Sequence, residues 1–364
     1  MQSVVSEPIV SPVPPAPPAP STGQRYLALD AYRGFIMLML VSGGFGLRAL
    51  AEDPRFRQIA AQFEHVPWEG AVFWDLIQPA FLFMVGAAMP FSLARRGNDL
   101  RHVALRSLKL ILLSQVLMCI SANRLHFQLI NVLSQIGFTY FFCYLILRMR
   151  FPAQVATAAL LLAGHTALFW IFPGADGAFS KTDNIGAVID RWWLGRNYSG
   201  FYVTINFVSS IASTLFGAWA AMLMLSARPL RDKMKILAGA AAVAFASGLL
   251  LSLWIPNVKR LWTASFALYS TGWVLLMLLG FIWVIEAKGW RKFAFPLMVV
   301  GMNSIFIYSV NQVLQGWIGR SLAVFTGKFE FIGVLAPVAQ ASAVLLVMWY
   351  LYYWLYQRRI FLKL

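Results

Sequence analysis

Residues 62–86, QFEHVPWEGAVFWDLIQPAFLFMVG, place His65 and two glutamates ahead of Asp75, at the start of a run that otherwise reads as membrane helix. A carboxylate inside such a run is expensive and marks a functional position by default. Counted from Trp68 and Glu69 at 3.6 residues per turn, Asp75 falls about a turn and a half into that helix. Pro67 interrupts the chain between His65 and the helix, so the imidazole can fold back over the helix start. An aspartate can then hold one ring nitrogen and leave the other to move a proton. Two plainer arrangements stay open: Asp75 as an interfacial cap or ion-pair partner, and His65 as a solvated loop residue.

Other polar side chains recur inside apolar segments. LDAYRG, residues 29–34, sets Asp30 and Arg33 three apart on one helical face. Such a pair reads either as a surface salt bridge of roughly 0.2–0.5 kcal/mol or as a guanidinium placed for bidentate phosphate recognition. INVLSQIG carries Asn131, Ser134 and Gln135, VTINFVSS carries Asn206, and GMNSIFIYSVNQ carries Asn303, Ser304, Asn311 and Gln312. Asn131 and Gln135, four apart, share a helix face. These groups serve either as interhelical hydrogen bonds, the usual glue of membrane bundles, or as the lining of a polar cavity. PNVKRLWT, with Lys259, Arg260 and Trp262, fits interfacial anchoring as well as a basic and aromatic site for a sugar or anionic polymer.

The elements that must position these residues are membrane helices. With 60% hydrophobic and 12% charged residues and a mean hydropathy of +0.68, the chain is far from the roughly 25% charge of soluble domains. Apolar runs near the roughly 20 residues that span a bilayer core begin around Leu27, Ala71, Leu105, Leu129, Pro152, Ile205, Met234, Thr263, Phe295 and Gly333. The expected fold is therefore all-α, a polytopic transmembrane bundle of about ten helices. Segments such as ARRGNDLRHVALRSLK, RMR, ARPLRDKMK, EAKGWRK and QRRIFLKL lie on one side of the membrane and carry most of the 30 basic residues. That excess marks the cytoplasmic face and puts both termini there. The net charge of +16 is thus an orientation signal, and nucleic acid is not an expected partner. Residues 1–24 are too rich in proline and too poor in large apolar residues to pack, and read as a disordered cytoplasmic tail; residues 25–364 form one domain. Cys119 and Cys143 sit in apolar runs without metal-ligand spacing, so helix packing is expected and neither a disulfide nor a metal.

In chain order, LALDAYRGFIMLMLV, HVPWEGAVFWDLIQPAFLFMVGAAMPFSL, NVLSQIGFTYFF, IPNVKRLWTASFALYSTGW and GMNSIFIYSVNQV resemble the heparan-alpha-glucosaminide N-acetyltransferase-like membrane acyltransferases, bacterial members included. The resemblance runs from residue 27 to about 313. It implies acetyl transfer from cytoplasmic acetyl-CoA to the amine of a terminal glucosamine on the far side. His65 matches the family histidine assigned to that transfer and Asp75 the family aspartate that follows it; Glu69 stands where the family has asparagine. Arg33, Arg95, Arg96 and Lys109 are then expected near the pyrophosphate of acetyl-CoA. Trp68, Glu69, Asn131, Gln135, Asn206, Arg260, Asn303 and Ser304 are expected to bind the acceptor or the thioester. The expected location is a bacterial cytoplasmic membrane, with membrane lipids, acetyl-CoA and an amino sugar or envelope glycan as partners, N- or O-acetylated, and a homodimer as one open assembly state. A transporter or flippase for a sugar or lipid-linked sugar is the alternative use of the same polar cavity.

Overall fold

The computed structural model describes residues 26–361, apart from 97 and 98 and the side chains of Arg95 and Arg96; the expected tail at 1–24 lies outside the described residues. Every regular element among the described residues is helical. Helix α1 (Leu27–Val41) continues through a bend of 43° into a 3₁₀ segment, Gly44–Leu50. A short α2 (Arg57–Ala61) leads to α3 (Phe73–Arg96), α4 (Leu100–Ala122), α5 (Val132–Leu147) and α6 (Phe151–Ile171). An amphipathic α7 (Ile185–Leu194) precedes α8 (Asn206–Leu225), α9 (Leu230–Leu251) and α10 (Ala264–Ile282). The chain closes with α11 (Ala294–Gly301), α12 (Ser304–Thr326) and α13 (Ala336–Gln357).

Local chemistry sets several of these ends. Asp99 accepts from the His102 amide to cap α4, Asn131 from Leu133 to cap α5, and Asn184 from Ala187 to cap α7, each satisfying an orphan N–H of a first turn. Pro229 immediately precedes α9, where a fixed φ is compatible with a helix start.

Among the described residues, seven stretches are long and apolar enough to cross a membrane, or eight if the bent first pair counts as one span; the protein is a multi-pass membrane protein. One of the seven, Ser304–Gln357, contains both α12 and α13, parted by a 3₁₀ segment, Gly327–Leu335. Helix α5, with 16 residues, is shorter than a full span. The apolar run beginning at Phe295 is divided at Met302 and Asn303 into α11 and α12, and the Asn303 amide donates to the carbonyl of Ile360.

Helix α3 packs on α8, α1 on α11, α4 on α5 and α9 on α10. The α3–α8 contact is closest where Gly86 meets Thr214 and Gly217 meets Phe83; a Cβ on either glycine would overlap the backbone carbonyl opposite. Small residues allow this backbone approach in a bilayer, where dispersion and hydrogen bonds replace the hydrophobic effect as the driving force. Tyr32, Phe83, Tyr144, Trp262, Phe266 and Tyr352 are fully buried in the core. The C-terminus of α1 and the N-termini of α3, α5, α8 and α10 meet at one end of this bundle, under the loops 51–72, 123–131, 172–205 and 252–263.

Candidate active site

Residues 66–72 are not helical: α3 begins at Phe73, so Asp75 stands in its first turn and not a turn and a half inside. The expected earlier start fails because Pro67 supplies no donor, while Gly70, at φ 100°, turns its amide to the carbonyl of Asn257. The extended loop carries His65 back over the helix start. Its Nδ1 lies 2.7 Å from Asp75 Oδ1, while Asp75 Oδ2 accepts from the amides of Val66 and Val72 at 3.3 and 3.4 Å. Against a carboxylate so fixed, Nδ1 carries the proton and donates, which leaves the lone pair on Nε2. Nε2 has no protein partner among the described residues, and the imidazole is 44% exposed while the aspartate is 2% exposed.

A third charged group completes this centre. Lys259, 6% exposed, places Nζ 3.4 Å from Asp75 Oδ1 and 3.4 Å from His65 Nδ1. Burial pulls its ammonium down to about 8, against the opposing pull of Asp75. His65 and Lys259 stand on the wall of a cavity of about 360 Å³, beside Trp74, Gln78, Asn131 and Tyr202, with Asp75 held behind them. Leu40, Ile77, Phe81, Met118 and Ile130 supply apolar lining. Burial also raises the Tyr202 phenol to about 12, so its hydroxyl stays protonated at neutral pH.

Behind the wall a hydrogen-bond chain returns to the loop. Gln78 donates to Gln135 Oε1 at 2.6 Å, and Gln135 donates to Asn206 Oδ1 at 3.3 Å and Ser210 Oγ at 3.1 Å. Asn206 donates to the Arg260 carbonyl at 3.3 Å. The Arg260 guanidinium donates to the carbonyls of Val66 and Pro67 at 3.2 and 2.6 Å, next to His65.

The structure thus brings His65, Asp75, Asn131, Gln135, Asn206 and Arg260 to one end, with different tasks. Asn131 caps α5 through Oδ1, and its amide nitrogen is engaged by the Met118 thioether and the Tyr308 hydroxyl at the cavity wall. Gln135 and Asn206 support the wall from behind. Arg260 is spent on the loop carbonyls and lies 5.9 Å from the ring centroids of both Trp68 and Tyr202. Trp68 donates to the Phe179 carbonyl, tying the loop to the 172–205 segment, and Glu69 is exposed outside the cavity wall.

The remaining expected residues are not gathered there. Arg33 pairs with Asp30 at 2.8 Å, about 10 Å of helix from Leu40 at 1.5 Å per residue. Asn303 and Ser304 belong to that same end, since Gly301 packs on the backbone of Asp30 and Gly34, and Ser304 donates back to the Gly301 carbonyl. Lys109 is exposed on the α4 face that also exposes Leu105, Leu108 and Leu112, as a snorkelling base would be. The side chains of Arg95 and Arg96 lie outside the described residues. Lys259, Gln78 and Tyr202 were missed as site residues. Only Lys259 had a signal, a base beside Arg260 in PNVKRLWT, and nothing local told which of the two neighbours turns inward.

Residues 25–177, which include His65, Asp75 and Asn131, match the family described as heparan-alpha-glucosaminide N-acetyltransferase, catalytic. The human heparan-alpha-glucosaminide N-acetyltransferase is 23% identical, over 80% of this chain. Over that segment the chain is similar to the heparan-alpha-glucosaminide N-acetyltransferase family. It spans about half the length of that curated relative, 53% of which is covered. The matched segment supplies the imidazole and carboxylate, while Lys259 comes from beyond it.

Proposed function

We propose that the protein is a membrane acetyltransferase that moves acetyl from acetyl-CoA to the amine of an amino sugar or envelope glycan. The observation that carries this reading is the 2.7 Å contact between His65 and Asp75 at the wall of a cavity of about 360 Å³. It is supported by the match of the surrounding segment to an acetyltransferase family. In the proposed step His65 Nε2 takes a proton from the acceptor amine as the amine nitrogen attacks the thioester carbonyl. The C–S bond breaks, and the leaving thiolate receives the proton from the imidazolium. Asp75 fixes the tautomer throughout, by holding the Nδ1 proton. The Tyr202 hydroxyl is the cavity donor suited to the carbonyl oxygen as it gains charge. The apolar wall suits the pantetheine arm, and Arg33, about 10 Å along α1, suits the diphosphate.

The test is transfer of labelled acetyl from acetyl-CoA to glucosamine-ended acceptors by the purified protein in detergent. His65→Ala is expected to lower turnover by at least about 100-fold, the usual share of an acid–base group, while acetyl-CoA still binds. Absence of acetyl-CoA binding by folded protein would sink the proposal.

A further inference from the structure

We propose that Lys259 is a positioning residue of the His65 centre: its buried ammonium balances the Asp75 carboxylate and opposes a positive charge on the imidazole beside it. The charged and titratable groups around His65 are few. Asp75 comes from α3, Lys259 from the loop before α10, and Tyr202 from the loop before α8. Arg260 faces the loop carbonyls, and Glu64, the chain neighbour of His65, is paired with Arg48 at 2.9 Å.

A histidine against an aspartate alone is stabilised as imidazolium. Here the same carboxylate oxygen already faces Nζ, and an imidazolium would set a second cation 3.4 Å from the ammonium. Because the Nδ1 proton is committed to Asp75, Lys259 is not donating to the ring. It acts on His65 through charge. The sign follows: Lys259 lowers the proton affinity of His65, and its removal raises it. With an ammonium that titrates at about 8, Lys259 stays mostly charged at neutral pH. A protonated Nε2 cannot accept the acceptor's proton, so the catalytic consequence rests on the acetyl-transfer reading; the charge relation does not.

The experiment reads the imidazole directly. Diethyl pyrocarbonate acylates neutral imidazole, and the rate at His65, followed by peptide mass spectrometry across about pH 5–8, reports the uncharged fraction. Lys259→Met is expected to raise the midpoint by at least about one pH unit, about tenfold in proton affinity, and Lys259→Arg to leave it near that of the unaltered protein. An unmoved midpoint in folded Lys259→Met overturns the proposal. Should that variant fail to fold, Lys259→Gln, uncharged but able to donate a hydrogen bond to Asp75, takes its place; its midpoint must rise in the same way, and an unmoved midpoint overturns the proposal. Where acetyl transfer is measurable, the acidic limb of kcat/KM moves with the same midpoint. A shifted midpoint in a protein that transfers no acetyl would leave Lys259 standing and remove the acetyltransferase.

Discussion

Gln135 joins the cavity wall to the loop that carries His65, since it accepts from Gln78 and donates to Asn206 and Ser210. Replacing it with leucine leaves several buried polar partners unsatisfied. Gln135→Leu is expected to lower stability by about 1–2 kcal/mol, the upper range for interhelical hydrogen bonds in membranes, and to reduce acetyl transfer as Gln78 loses its anchor. Thermal unfolding in detergent and turnover check the two effects; a variant equal to the unaltered protein in both would show the chain to be idle. Gln135 and Asn206 could be read in the sequence as costly polar residues within apolar runs, but their separation from the cavity by Gln78 could not. The His65–Asp75 pairing was legible because Pro67 and the helix start constrain where the imidazole can go. The choice between Lys259 and Arg260 was not, because neighbouring loop residues point as tertiary contacts dictate, and here Arg260 was claimed by the carbonyls of Val66 and Pro67.

Helix α3 carries Asp75 and part of the cavity wall, and α8 backs that wall through Asn206 and Ser210; their spacing is set where Gly217 lies against the Phe83 carbonyl and Gly86 against that of Thr214. Gly217→Ala puts a methyl group into that carbonyl and must push α3 away, which moves Asp75 at its N-terminus. The expected loss is at least about 2 kcal/mol, within the range of overpacking. Gly164→Ala in α6, where the added methyl meets nothing within 4 Å, is expected to be neutral or to gain up to about 1 kcal/mol of helix propensity. Thermal midpoints of the two variants side by side check this; equal midpoints would remove the contact as a determinant of the site. Apolar length alone placed the helices well, because each expected run meets a helix. It did not place the ends: Phe73 begins α3 only because Gly70 and Pro67 bind the preceding loop elsewhere, and α11 parts from α12 because Asn303 turns to Ile360.

Across the molecule, the two ends of the bundle differ in charge as well as in chemistry. Arg148 and Arg150 follow α5, Arg228 precedes α9, Arg231, Lys233 and Lys235 lie in its first turns, and Lys288, Arg291 and Lys292 stand between α10 and α11, with Arg358 and Arg359 after α13. All of these helix ends lie opposite the His65 end, because the spans alternate in direction. Bases concentrate on the cytoplasmic side of membrane proteins, so the His65 end is expected to face outward; under the proposed acetyl transfer, an acceptor would reach it from outside and the donor would approach through the bundle past Arg33. Single cysteines on a background with Cys119 and Cys143 replaced by alanine check the orientation. In intact cells an impermeant maleimide is expected to label Glu69→Cys, exposed beside the site, and to leave Lys235→Cys, exposed at the other end, unlabelled until the membrane is opened. The reverse pattern would put His65 on the donor's side, and the acetyl group would then have no membrane to cross.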